Sequence, residues 1–332
     1  MVGKRMIDMA MPLCFCLIAC SAMADASEMT APLPVVQMNP FMLRYMGFTA
    51  SDALQDAGRR HRISIQEHYA SIFLAEGLPA PGRYLADMEL SLTNITLHSS
   101  LGRTGVYVNF PLLLPTGGFM DGLVNGFHKA FHFPNGSRAY RPNNRYGYAL
   151  AGAWDSRPGW RLGNITAGLQ FPVLRGGSDA LALVAGGKAP TANRRDGWSS
   201  GTWDGGIGLV ASFRTRAWFG HLEGWYFKPF GKDDIPFISN RAYARASVAI
   251  GREGRFFHPV SNRLFSLIVQ AQGGASPYRH TGMLALDQNP WLVAVGLRWQ
   301  DSKQRDWLFS FTENITQHST QDFSFCIACA FG

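Results

Sequence analysis

The chain has 332 residues and a formal net charge of +8, with only 16% charged residues against 13% aromatic residues and 36 glycines. Soluble domains run at roughly 25% charged residues, so an ordinary soluble fold fits poorly, yet a mean hydropathy of −0.05 is far too polar for a bundle of membrane helices. Beyond the N-terminus no stretch reaches the run of about 18 apolar residues that a membrane helix requires, which leaves a closed barrel of alternating strands as the structure able to span a bilayer.

In chain order, the N-terminus reads as a secretory signal. Lys4 and Arg5 form a basic region, Met9 to Ile18 is apolar apart from Pro12, and Ala22-Met23-Ala24 is a small-x-small cleavage site before Asp25. Residues 1–24 are therefore expected to be removed. A competing lipobox, Leu17 to Cys20, would instead leave a lipidated Cys20; either route exports the protein. Cys14, Cys16 and Cys20 lie in this segment, and Cys326 and Cys329 remain. Their C-x-x-C spacing resembles a redox or zinc motif, but strand residues three apart face opposite sides, so both are read as small strand residues. The basic excess is scattered through polar turns, without the basic–aromatic interleaving of nucleic-acid binders. Phosphates of outer-membrane lipid and lipopolysaccharide are the expected anionic partners.

Residues 25–59 are irregular, punctuated by Pro32, Pro34 and Pro40, with one or two helical turns expected over Ser51–Ala57. From residue 60 to 332 the pattern becomes short alternating segments separated by turn residues, the signature of transmembrane strands. Strands are expected near 61–71, 84–98, 106–114, 146–154, 160–171, 179–188, 203–213, 216–228, 242–250 and 262–272. Three further outward faces follow. Trp291, Val293, Val295, Leu297 and Trp299 alternate with Arg298 on the opposite side; Trp307, Phe309 and Phe311 make a second face; Phe323, Phe325, Ile327, Cys329 and Phe331 make the last. Tryptophans at both ends of an apolar face match the aromatic girdles of a barrel. The terminal aromatic strand, with Phe323, Phe325 and Phe331, is the form in which such chains meet the barrel-assembly machinery. Ala242, Ala244, Ala246, Val248 and Ile250 form a smaller-residue face with Arg245 inward. The fold class is all-β: a transmembrane antiparallel up-and-down barrel of about 12 strands, within a range of about 10 to 14.

One segment breaks this pattern. Phe119, Leu123, Phe127 and Phe131 recur every four residues, a helical stripe, with Asp121, Asn125, His128, Lys129 and His132 on the other sides. A short amphipathic helix in a loop is expected here, either folded into the lumen as a constriction or lying along the membrane interface. Asn135-Gly136 should turn the chain afterwards.

Several strings carry a family resemblance. Gly117 to Asp121 with Phe127-His128, then Phe131, Pro134 to Gly136 and Arg138, come first. Gly187 to Thr191, Ser276 to Tyr278, Gly296 to Trp299, Glu313-Asn314 and Gln321 to Phe323 follow in order. This ordered set resembles a proteobacterial family, domain of unknown function 3187, over most of residues 40–332. The resemblance implies an outer-membrane-type barrel and assigns no activity; Ala189 and the terminal Gly332 depart from its pattern.

Functional candidates are sparse. The echoed strings Asn94 to Ser99 and Asn314 to Ser319 each place a histidine beside a serine, His98 with Ser99 or Ser100 and His318 with Ser319. Such pairs serve lipid-editing barrel hydrolases; they equally read as polar caps where strands leave the membrane. His128 and His132 share a helical face at a spacing compatible with zinc, with only Asp121 near as a third ligand, so no metal and no cofactor are expected. The favoured reading is a narrow channel or binding barrel for a small solute. Asp121, His128, Lys129 and His132 would face the lumen, and Arg245 and Arg298 would favour anions. An enzyme acting on outer-membrane lipid or lipopolysaccharide and a closed structural barrel are the alternatives.

Overall fold

The computed structural model describes residues 29–47, 50–54, 61–76, 83–132, 138, 140–235, 237–256, 263–316 and 318–331. The expected signal segment 1–24, Cys20 and the Asn135-Gly136 turn lie outside the described residues.

Period-two alternation builds the wall. Its strands are β1 (His61–Ala75), β2 (Tyr84–Leu101), β3 (Thr104–Thr116), β4 (Thr166–Arg175), β5 (Asp179–Lys188), β6 (Trp203–Arg214), β7 (Trp218–Phe230), β8 (Tyr243–Gly254), β9 (Phe265–Gly274), β10 (Trp291–Gln300), β11 (Asp306–Asn314) and β12 (Phe323–Phe331). Each pairs antiparallel with its sequence neighbour. β1 closes on β12, from Ile63 opposite Phe331 to Ser71 opposite Phe323, so the sheet has no open edge over this span. In β8, buried Tyr243, Arg245, Ser247 and Ala249 alternate with exposed Ala244, Ala246, Val248 and Ile250. In β10, Trp291, Val293 and Val295 are exposed while Leu292, Ala294 and Arg298 are buried. The expected outward apolar faces and the inward arginines are therefore observed. The two cysteines diverge as expected: Cys326 packs inward with Leu33 and Val35, and Cys329 outward with Ile65 and Phe331.

Two expected strands are corrected. Residues 146–154 do not span the wall; 147–150 and 154–156 form a hairpin on the end of β2, where Tyr84–Asp87 extend past the last β2–β3 pair, Glu89 with Thr116. The stagger of a tilted barrel leaves that edge bare, and the hairpin satisfies its backbone groups. Likewise Arg161-Leu162 cover Leu112-Leu113 of β3, and β4 proper begins only at Thr166.

Short connections at 102–103, 176–178, 215–217 and 301–305 mark one end of the barrel, together with His61 and Phe331; the connections at 117–165, 189–202, 231–242 and 275–290 mark the other. The long loops carry α1 (Asp121–Phe131), α2 (Leu284–Asp287) and a two-residue ladder of Ser239-Asn240 with Tyr278-Arg279. The main apolar core lies inside the barrel, where Met38, Phe41, Met42, Tyr45 and Met46 of the N-terminal segment pack among Tyr84, Tyr148, Trp154, Trp198, Tyr243 and Tyr278.

Candidate functional site: the occupied lumen

The irregular segment before β1 folds into the barrel as a hairpin-shaped plug. Its backbone has no strand partner, so the inward side chains of the wall take its peptide groups. His221 Nε2 lies 2.7 Å from Thr30 O near the short-turn end. Gln270 then clamps Leu33 at both ends, accepting from its N–H at 2.8 Å and donating to its carbonyl at 3.1 Å. Gln272 donates to Val35 O at 2.9 Å, and Gln321 holds Met38 N at 3.0 Å and Val36 O at 3.2 Å. At the long-loop end Asn39 Nδ2 donates to the carbonyls of Ser319 and Ala285. A 3-10 turn over Met42–Arg44 reverses the chain. On the way back Lys188 Nζ donates to Arg44 O, Met46 N to Asp204 Oδ2, Ser51 N to Glu223 Oε2 and Ala53 N to Ser212 Oγ. Arg175 finally reaches Leu54 O. The expected helical turns at Ser51–Ala57 reduce to a turn at Ala53-Leu54, with 55–57 outside the described residues.

Ion pairs fix the apex. Arg44 and Asp233 meet at 2.7 Å with side chains 1% and 0% exposed. Arg44 also donates to Ser199 O and Tyr278 Oη, each at 3.3 Å, while Tyr45 donates its hydroxyl to Asp233. Burial, with Tyr278 and the Asp233 carboxylate close by, pushes the Tyr45 phenol well above its ordinary value, so it remains a neutral donor. Burial opposes the charge on Arg44, but Tyr278 and Asp233 outweigh it and raise the guanidinium above its usual value. Lys188 and Asp204 form a second buried pair at 3.1 Å. Phe41 stands 5.4 Å from Tyr148, which stands 4.9 Å from Trp198, closing the long-loop side with rings.

Plug and wall leave a cavity of about 200 Å³ along β1–β3. On its wall side, Thr96 donates to Asn109 Oδ1 at 3.0 Å and Asn109 to Asn94 Oδ1 at 3.2 Å, beside Gln66 and Tyr107. Pro34, Val36 and Leu43 face it from the plug. Its charged lining comprises Arg62, Lys188, Arg245 and Arg298 against Asp52. Arg298 donates to Pro32 O at 2.6 Å, so this arginine holds the plug as well as facing the lumen.

The 117–146 loop lies elsewhere. Phe119 stacks on Tyr69, whose cross-strand partner Phe325 faces outward. Glu89 on the same outer face accepts from Tyr69 Oη and from the backbone N–H groups of Phe119 and Met120. Gly118 sits there at φ +62°, where a Cβ would fall 1.8 Å from the Glu89 carboxyl carbon; glycine is required. Arg138 bridges Asp121 and Asp322, donates to Ser71 and lies over Phe73. The helix thus docks on the outside of the wall. The lumen positions expected for Asp121, Lys129 and His132 are corrected accordingly: the outward carboxylates and hydroxyls of β1 and β2 capture the loop before it can turn inward. The side chain of His128 lies outside the described residues. Met120 and Val124 are buried, whereas Phe119 and Leu123 are 50% and 66% exposed on the exterior.

Neither histidine meets the serine next to it in sequence, although Ser100, two residues beyond His98, falls on the same face of β2. His98 faces the cavity and Ser99 the opposite side, 3.3 Å from His61 Nδ1. His318 is exposed in the 315–322 loop while Ser319 is buried against Thr316. The two strings sit at opposite ends of the barrel rather than on one rim. No group of three His, Cys, Asp or Glu gathers as a metal site among the described residues.

The plug partners Gln270, Gln272, Asp204, Glu223 and Asp233 gave no local motif. One signal was present: Lys188, Tyr278, Arg298 and Gln321, from the strings that carry the family resemblance, all touch the plug.

A family model described as "Protein of unknown function (DUF3187)" matches residues 7–332. No curated protein matches the chain in sequence. Among solved structures, the COG4313 outer membrane channel from Pseudomonas putida F1 is similar at 11% identity and TM-score 0.53, over 92% of this chain and 99% of that one. The β domain of the Bordetella autotransporter BrkA is similar at 9% identity and TM-score 0.41, over 82% and 99%. The first likeness establishes the outer-membrane barrel fold.

Proposed function

The chain belongs to the DUF3187 family of proteins of unknown function, and from that premise we propose that it is an outer-membrane channel of narrow bore for small anionic solutes, constricted by its own N-terminal segment. The observation that carries this reading is the self-plugged lumen, whose residual cavity is lined by four cationic side chains and one carboxylate. A solute moving along the β1–β3 side passes an amide and hydroxyl ladder suited to shedding and regaining water, with arginines that lower the barrier for anions. The similar channel of Pseudomonas putida supports the assignment to a channel class. Signal cleavage after Ala24 would leave residues 25–28 ahead of Met29, which lies at the short-turn end. With that end periplasmic, as is usual for such barrels, the plug enters from the side where the signal is removed.

The test is single-channel conductance of the refolded chain in a planar bilayer. Full-length protein should give small, anion-selective openings, and a chain lacking residues 25–54 should give larger ones. Replacing Arg245 and Arg298 together by alanine should move the reversal potential toward cations. Silence from both the full and the shortened chain, with normal folding, would sink the channel reading.

A further inference from the structure

Among the described residues, the other buried cations of the lumen interior each reach at least one oxygen. Arg44 has Asp233 at 2.7 Å, Lys188 has Asp204 at 3.1 Å, and Arg298 has the carbonyl of Pro32 at 2.6 Å. Arg245 differs. The residue is 8% exposed, its guanidinium lies 5.3 Å over the Tyr243 ring, and Nη2 reaches only the sulfur of Met42 at 4.0 Å. Nε has no hydrogen-bond partner, and no carboxylate stands in ion-pair range of Arg245 among the described residues. An arginine does not shed its proton, and a buried charge is costly unless it is paired. Gln37, beside it on the plug, leaves its own Nε2 without a partner. Both side chains border the 200 Å³ cavity, and on their far side they border a second void of about 10 Å³, close to the least space that holds one water.

We infer that Arg245 and Gln37 form a binding site for a small monocarboxylate inside the lumen. The unused Nε and the adjacent Nη2 make the fork that takes two parallel bonds from a carboxylate, and Gln37 Nε2 supplies a third donor. Val35, Val36 and Met42 border the same cavity and suit a short aliphatic tail. Gln272 frames the site, with one of its two amide hydrogens given to Val35 O. The site also depends on the plug, because Gln37 and Met42 belong to it. This inference rests on the anion-path reading only for how the ligand reaches the site.

The experiment follows the urea midpoint of refolded full-length protein as sodium acetate replaces sodium chloride at constant ionic strength. A ligand that binds only the folded state raises the midpoint saturably. The expected result is such a rise with acetate, smaller in Arg245→Lys and Gln37→Leu, and absent in Arg245→Gln. Should Arg245→Gln fail to refold, the Gln37→Leu variant and an acetate titration followed by NMR line-broadening carry the test. Acetate giving no rise over chloride, or an undiminished rise in Arg245→Gln, overturns the site. Conductance measured in parallel separates the two readings: an anion-selective pore with no acetate effect leaves the channel and removes the site. An acetate effect in a silent barrel keeps the site and removes the path.

Discussion

Asp233→Ala tests whether the plug is latched at its apex. Asp233 accepts from both Arg44 and Tyr45, and the ion pair is fully buried. Removing the carboxylate strands a buried guanidinium, which costs about 3–5 kcal/mol where one partner of a buried pair is deleted. All of that cost falls on the seated plug, because Arg44 regains water when the segment withdraws. At about 1.4 kcal/mol per factor of ten, the ratio of seated to withdrawn plug should fall by roughly two to three and a half orders of magnitude. The remaining hydrogen bonds along Leu33 to Ala53, each worth about 1 kcal/mol net, should keep the seated form in the majority. The variant should therefore show brief, large openings at least about a hundred times more often than wild type in planar bilayers. Replacing Arg44 by methionine, Asp233 by leucine and Tyr45 by phenylalanine together removes the pair and the hydroxyl that depends on it, an exchange of a kind that is often neutral, and this combined variant should return toward wild-type behaviour. An Asp233→Ala protein that folds normally and opens no more often, or a combined variant as leaky as the single, would refute the latch.

Three further outcomes follow from the same geometry. Arg138→Ala removes the bridge between Asp121 and Asp322, so residues 117–146 should become sensitive to limited proteolysis, while heat modifiability of the barrel is kept. Leu123→Lys reads the depth of the exterior helix: a lysine costs about 2–4 kcal/mol at the bilayer midplane but about 0–1 near the interface. Unfolding free energies in lipid vesicles should give the smaller figure if α1 lies at the headgroups. Asp301 lies in a short turn, where partial burial would raise its carboxyl, but hydrogen bonds from Arg305, Trp307 and Lys303 lower it to about 2. A carboxyl depressed below its unfolded value near 3.9 stabilises above that pH, and the benefit disappears as pH falls toward 2. Hydrogen exchange of the 301–305 turn should accelerate over that window in wild type and stay nearly flat in Asp301→Asn.

The wall was legible because alternation is a local property. Trp291 to Trp299 announces lipid on one side and lumen on the other within nine residues, and Arg245 and Arg298 fall inward by the same rule. Residues 146–154 carry the same alternation, but where β3 leaves β2 is set by barrel stagger, which no single strand encodes. The helix was legible as a helix for the same local reason, and its side of the wall was not. That side depends on Glu89 meeting Met120 and on Ser71 and Asp322 meeting Arg138, contacts that cross up to 184 residues. The plug is the extreme case. Its hydrophobic residues follow neither period, because a segment packed on all sides inside a lumen has no solvent face to alternate against. Its backbone partners are side chains 121 to 285 residues away. Gln270, Gln272, Ser212 and Glu223 read in sequence as an ordinary wet lumen, since a polar inward face is what water and a peptide backbone both require. Gly296 shows the plug and the wall sharing one requirement: a Cβ there would lie 2.7 Å from Leu33 Cδ2 of the plug and 2.9 Å from Ser310 Cβ of the neighbouring strand. The bare backbone lets the inserted segment lie against the wall where the wall is already crowded.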